Sequence, residues 1–340
     1  MRLSKLLLSL GLSLGMMASV NAQDSHQHRI LNASYDVTRD FFRQYNPLFS
    51  KHYAQAHEGE TVTIEQSHGG SSKQALSVAN GLQADVVTMN QSSDINLLVE
   101  KGLIDKDWHQ KLPNQALAFT SPTVILVRKG NPKGIHDWPD LIKDDVKVLF
   151  ANPKSSGNGR YAFLAIYGAA LKRFDNDSHK AQEFASEVLK RIPVRDGGGR
   201  GATSSFIQRH IGDALIAPEN EAQMAAQQFG KNQFELIYPS YTIETEIPVA
   251  VVDAVAAKKG NSDVAKEYLR YLWSEPGQNL GAKLYYRPSV EQVRLQYKDR
   301  FPEVKTFKAG EVFGSWPDIM SKIFGDGGVF DQIDARNAQH

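Results

Sequence analysis

Cysteine is missing from all 340 residues. That one absence excludes disulfides, thiolate metal sites and cysteine nucleophiles. Excess charge is missing too. The 39 basic residues face 38 acidic ones, with no basic stripe, which excludes nucleic acid as a partner. No GxxxxGK[ST] motif occurs, because Lys73 follows Ser72 rather than glycine and no hydroxyl comes after it. No GxGxxG follows a strand-like run, so a nucleotide cradle is excluded. No G-x-S-x-G elbow frames Ser71 or Ser72, and no carboxylate-rich stretch reads as a catalytic metal site. Beyond the N-terminus no apolar run is long enough to cross a bilayer.

The one long apolar run stands at the very start. Arg2 and Lys5 precede it, and it ends Val20-Asn21-Ala22 before Gln23. This reads as a secretory signal, residues 1–22, cleaved after Ala22 and too short to span a membrane comfortably. Its removal takes away Arg2 and Lys5 and no acid, so 318 residues remain and the formal charge moves from +1 to −1. An exported chain of this size without disulfides is held by burial alone, as one or two ordinary domains. A Gram-negative periplasm is the expected location.

Short β-branched runs alternate with helical patterns from TVTIEQS (61–67) to IPVAVVD (247–253), passing through PTVILVRKG (122–130), RIPVRD (191–196) and DALIAPE (213–219). That rhythm predicts an α/β fold of largely parallel sheets covered by helices. The long runs PTVILVRKGNP and ETEIPVAVVD are natural crossings between two lobes. The expected division is 23–121 as the first lobe, 122–246 as the second, and 247–340 returning to the first. A ligand cleft then lies between the lobes, at the carboxyl ends of the strands. Phe41, Phe42, Tyr45 and Phe49 fit a buried helical stripe.

Four helices start from loops rich in serine, threonine and glycine. These are Ala33–Thr38, Ser67–Ser72 (within QSHGGSSKQAL), Lys154–Gly159 and Asp196–Thr203, two in each expected lobe. A helix start carries N–H groups without intrahelical partners and the positive end of the peptide dipoles. Glycine admits a ligand close to that backbone, and serine adds a hydroxyl donor. One such loop is an ordinary N-cap or an anion seat; four that converge on one cleft favour a small anion held by main-chain N–H groups and hydroxyls.

The stretches SYDVTRDFF, QSHGGSSKQAL, ADVVTMNQSSD, VILVRKGNPK, IHDW, NPKSSGNGRY, DGGGRGATSSF, YPSY, YYRP and FGSWPDIM resemble the prokaryotic sulfate- and thiosulfate-binding proteins, receptors of ABC importers. The resemblance covers nearly all of the mature chain. It implies a two-lobed periplasmic-binding-protein fold of type II, no catalysis, no cofactor, and a monomer that delivers its ligand to membrane permease subunits. It implies that backbone N–H groups of Asp36, Ser71, Gly157, Asn158 and Gly199, with the Ser156 hydroxyl, grip a dehydrated anion. Sulfate-specific relatives complete the shell with a tryptophan indole in a context like IAWENEA, whereas this chain reads IAPENEA and has Pro218 there, which offers no donor. The motifs SSKQAL, VVTMNQ, SGNGRY and GGRGAT are more similar to the thiosulfate-binding branch.

Other readings attach to the same residues. His68 is a loop-structuring residue, or a base for Ser71 or Ser72 with Asp36 as third member, which would make an exported hydrolase. Arg200 braces the glycine-rich loop through a carboxylate, or neutralises the anion directly. Asp36 uses its backbone, with its carboxylate turned away to hold the loop. His26 and His28 are incidental or metal-binding, and Ser155 is a turn residue. Molybdate or phosphate is the alternative ligand within the receptor class.

Overall fold

Ten strands are present among the described residues of the computed structural model, which are 27–228 and 232–338. The signal reading, 1–22, and His26 lie outside them. The first lobe contains β1 (Gln27–Tyr35), β2 (Thr61–Gly69) and β3 (Val86–Thr88). They lie side by side and parallel in the order β2-β1-β3, with Tyr35 opposite Gly69 and Ser34 opposite Thr88. All three carboxyl ends therefore reach the same edge.

Two long strands join the lobes. β4 (Leu117–Arg128) starts in the first core with Ala118 and Phe119 and ends in the second with Ile125 and Val127. In the second lobe, β5 (Val148–Leu149) runs parallel to β6 (Ala214–Pro218), and β4 accepts β6 and β7 (Phe234–Ile237) as antiparallel neighbours. β8 (Thr242–Val251) crosses back, from Ile243 in the second core to Val249 in the first. β4 and β8 pair antiparallel around Thr120–Glu246 and Ser121–Thr245, so the connection between lobes is a two-stranded ribbon. Two short strands, β9 (Arg287–Pro288) on β4 and β10 (Thr306–Phe307) on β8, complete the sheet. Each lobe's parallel ladder is thus flanked by an antiparallel crossing strand.

The stripe on the helix Arg39–Ala56 is buried, with Tyr45 and Phe49 fully enclosed and packed on Tyr268. Two expectations change. The run 191–196 forms no strand; it follows β5 only through Val148 N–H to Arg191 O and Asn152 N–H to Asp196 O. The return of 247–340 to the first lobe holds only in part. Val249 to Tyr286 pack in the first core, whereas Phe307, Ile319, Phe324, Phe330 and Ile333 pack in the second, around Phe163. These side chains fill the outer face of the helix Gly157–Arg173, whose buried surface extends almost all round. Among the described residues no helix is long and apolar enough to cross a membrane.

Candidate functional site

The strand ends decide where the helices begin. β1 runs straight into Asp36, β2 into Gly70-Ser71, and the loop after β5 leads to Ser156, the N-cap of Gly157–Arg173. The helix Gly199–Ile207 starts at Gly198. All four starts meet. A Cβ on Gly70 would lie 2.7 Å from the Ser155 carbonyl and 3.4 Å from that of Gly197. One on Gly199 would lie 2.2 Å from Asn158 Nδ2 and 3.1 Å from Val37. Glycine is required at Gly70 because backbone carbonyls of the opposite lobe approach it there; at Gly199 a Cβ would instead press on the side chains of Asn158, from the same lobe, and Val37, from the other. The loop after β3 joins them, as Asn90 Nδ2 donates to Asn158 Oδ1 at 2.8 Å across the cleft.

The donors at this meeting point are largely uncommitted. The helices starting at Ser71 and Gly199 have glycine N-caps and no side-chain cap, and the turn at Asp36 has none either. Ser156 Oγ accepts the Gly159 N–H at 3.4 Å, which leaves its own proton free to point elsewhere. Asn158 Nδ2 is buried without a hydrogen-bond partner. Such a donor in a dry site costs about 1–3 kcal/mol unless something accepts from it.

The charged groups around the site bond mainly to protein groups. Asp36 Oδ2 accepts the Arg200 N–H at 3.1 Å, so this carboxylate caps the opposite lobe's helix at the position next to Gly199. Burial raises its pKa, and the Arg200 amide and guanidinium oppose the rise. The Arg200 guanidinium donates to Asp40 Oδ2 at 2.7 Å and faces Glu221 Oε1 at 3.5 Å. It acts as a brace through carboxylates. Ser71 and Ser72 donate to the two oxygens of Asp94 at 2.5 and 2.7 Å, and Arg160 donates to Ser72 from the other lobe. Burial raises Asp94 as well, against the charge of Arg160 and the serine hydroxyls. Arg200 is therefore paired with Asp40, whereas Arg160 reaches Asp94 only through Ser72, and its Nε, like Arg200 Nε and Glu221 Oε1, is buried without a hydrogen-bond partner.

His68 does not serve a serine nucleophile. Its Nδ1 lies 2.7 Å from Ser34 Oγ, and both candidate nucleophiles hydrogen-bond to Asp94 instead. Burial, with Arg39 and Arg200 nearby, pushes the imidazole down to about 4, so it is neutral at pH 7. Ser155 donates to Gly197 O at 3.1 Å, which links two loops of the second lobe. His28 sits 3.5 Å from Glu60. Among the described residues no group of three or more metal-ligating side chains gathers. Pro218 ends β6, opposite Thr123 of β4, and is buried.

Sequence reasoning missed Asn90, Asp94, Arg160 and Glu221. Asn90 carried a usable signal, since it follows β3 as Asp36 follows β1. Asp94 and Arg160 carried none, because a search for neutral donors passes over acids and bases.

Glu221 gives a pH-dependent expectation. It is 2% exposed, and burial raises its carboxyl from 4.5 to about 7 despite Arg200. Between these values the folded state binds more protons than the unfolded one, so stability falls as pH rises from 4.5 towards 7. Glu221→Gln should match the parent at pH 5 and exceed it by about 2 kcal/mol at pH 8. Urea unfolding at the two pH values reads the difference, and parallel curves would contradict the assignment.

Residues 30–287 match the family model described as bacterial extracellular solute-binding protein. The chain belongs to that family. Within it, the chain is 52% identical to the thiosulfate-binding protein of Pseudomonas aeruginosa, covering 97% of this chain and 98% of that one. It is 48% identical to the sulfate-binding protein of Escherichia coli, over 96% and 99%. Among solved structures, the sulfate-binding protein SubI from Mycobacterium tuberculosis matches with a TM-score of 0.74 at 30% identity, covering 86% of this chain and 98% of that one. The solute-binding chain is a receptor of the sulfate- and thiosulfate-binding group and not an enzyme. Two serines tied to a buried acid and a neutral histidine turned to Ser34 agree with a site that binds without reacting.

Proposed function

We propose that the chain captures a doubly charged sulfur oxyanion, thiosulfate or sulfate, between its lobes and hands it to the permease of an ABC importer. One observation carries this reading: four helix starts, two from each lobe, meet at a point where donors are free and Arg200 is already paired with Asp40. The N–H groups of Asp36, Ser71, Gly157, Asn158 and Gly199 and the Ser156 hydroxyl form the seat. Ser72, His68 and Arg200 hold the loops. Each hydrogen bond to a charged partner is worth about 1.5–3 kcal/mol, and dehydrating a dianion offsets much of the sum. A net near −8 kcal/mol, about micromolar, is expected.

Such a seat also selects. Near neutral pH phosphate keeps a proton that needs an acceptor; Asp36 Oδ2, Asp40 Oδ2 and both oxygens of Asp94 already accept from protein groups, which leaves Asn90 Oδ1, buried without a partner beside Gly157, as the acceptor within reach. Unless that oxygen takes the proton, rejection costs about 1–3 kcal/mol, tenfold or more. Calorimetry against thiosulfate, sulfate, phosphate and molybdate tests the assignment; heat from phosphate or molybdate alone would overturn it. Asp36→Asn should keep sulfate affinity within about fivefold, since an amide oxygen can still accept the Arg200 N–H at a cost of about 1 kcal/mol.

Pro218 inclines the receptor towards thiosulfate. β6 pairs through Leu215 with the parallel strand β5, which leads towards the Ser156 loop, and ends three residues later at Pro218, which brings no donor. The larger sulfur of thiosulfate accepts hydrogen bonds poorly and suits such a corner. Pro218→Trp should raise sulfate affinity relative to thiosulfate about tenfold, one charge-assisted hydrogen bond. An unchanged ratio would show that Pro218 does not set the preference. The mature protein acts as a periplasmic monomer after loss of residues 1–22.

A further inference from the structure

Far from the cleft, the second lobe carries a cavity of about 450 Å³. Lys172 lies fifteen residues beyond the Gly157 helix start, about 22 Å along the axis, so the cavity is remote from the seat. Its walls are apolar: Trp138, Pro139, Phe184, Tyr241 and the small faces of Ala169 and Ala170. The Trp138 indole is fixed by donating to Tyr241 O at 2.8 Å.

Three cations stand round this cavity, Lys172, Arg173 and Lys305. Among the described residues none of them has an ion-pair partner, whereas Lys133 and Lys143 of the same lobe pair with Asp145 and Asp140. Lys172 Nζ lies 3.7 Å from the centre of the Tyr241 ring, so an ammonium sits directly over the aromatic wall. Asp137 is the only acid in the lining, and its Oδ1 already accepts the Trp138 and Ser240 N–H groups. Lys172 and Arg173 also complement the dipole of the helix they end. That role explains neither Lys305, on another segment, nor the hollow between them.

We propose that this cavity is a second binding site, for a planar aromatic monoanion such as an arylcarboxylate or arylsulfonate. The ring occupies the space between Trp138, Phe184 and Tyr241, and the anionic group meets Lys172 and Lys305. Apolar walls with a few convergent polar groups are the ordinary make-up of a small-molecule pocket. A bare inorganic anion gains nothing from these walls, which separates the site's chemistry from that of the cleft.

The test is fluorescence titration of the full protein, saturated with sulfate, using 8-anilinonaphthalene-1-sulfonate as probe. One saturable site is expected. Lys172→Glu with Lys305→Glu should weaken the probe tenfold or more and leave sulfate affinity unchanged. Ala169→Leu, which fills the cavity and keeps every charge, should weaken it as well. The neutral N-phenyl-1-naphthylamine should bind at least tenfold less tightly than the sulfonate. Benzoate and benzenesulfonate should both displace the probe; displacement by only one narrows the ligand to that class. Probe affinity unchanged in both variants, or equal for the neutral dye, would overturn the proposal.

Discussion

Replacing Gly70 by alanine is expected to weaken thiosulfate and sulfate binding about 100-fold, or about 2.7 kcal/mol, with the unfolding midpoint of the ligand-free protein nearly unchanged. The new methyl carbon would stand 2.7 Å from the Ser155 carbonyl of the opposite lobe, where 3.4 Å or more is ordinary contact. Neither neighbour is a flexible side chain, because the Gly197 carbonyl bounds the other side at 3.4 Å. The methyl therefore acts as a wedge between lobes, and the strain is relieved only by parting them. Parting moves Gly157, Asn158 and Gly199 away from Asp36 and Ser71, so a guest bound by one lobe loses the donors of the other. Calorimetry beside thermal unfolding reads both halves of the prediction. Affinity within fivefold of the parent would mean that closure does not bring these loops together.

Arg287→Ala is expected to cost about 3–5 kcal/mol of stability. Glu219 is fully buried immediately after Pro218, and both its oxygens bond to Arg287, at 2.7 and 3.0 Å. The Tyr238 hydroxyl also donates to it at 2.8 Å. Without the guanidinium a carboxylate remains buried with one neutral donor, an uncompensated charge. The pair matters for position too, since it anchors the turn between β6 and the helix Glu219–Gln228 to β9 of the returning chain. Arg287→Leu combined with Glu219→Leu should recover most of the loss, because two apolar groups leave no charge behind. Urea denaturation of the single and double variants measures this. A double variant as unstable as the single one would show that packing, not charge, is at stake.

Particular residues show how far the sequence could be read. Three of the four loops were visible because each pairs small or hydroxylated residues with the end of a β-branched run, which is local information; Ala33–Thr38 showed only by its own serine and threonine, since β1 carries a single β-branched residue, Ile30, and was not expected. Pro218 was visible by its departure from a recognised context. The balance of charge around the seat was not. Asp94 and Arg160 are 66 positions apart and come together only when the lobes meet, with Ser72 between them. The last thirty residues misled for a similar reason. Their apolar pattern says that Phe324 and Phe330 are buried, but not in which core; the unusually wide apolar surface of Gly157–Arg173 decides that. The run 191–196 looked like a strand because Ile192 and Val194 alternate with polar residues, yet only its ends bond to the neighbouring segment, Arg191 to Val148 of β5 and Asp196 to Asn152 beyond it.

A crystal structure with thiosulfate, with its two sulfurs located by anomalous scattering, measures the central claim. The anion should lie within about 3 Å of the Asp36, Ser71, Gly157, Asn158 and Gly199 nitrogens and the Ser156 hydroxyl, its terminal sulfur facing Pro218. Sulfur peaks beside a lysine cluster or a bound metal, away from those six groups, would contradict it.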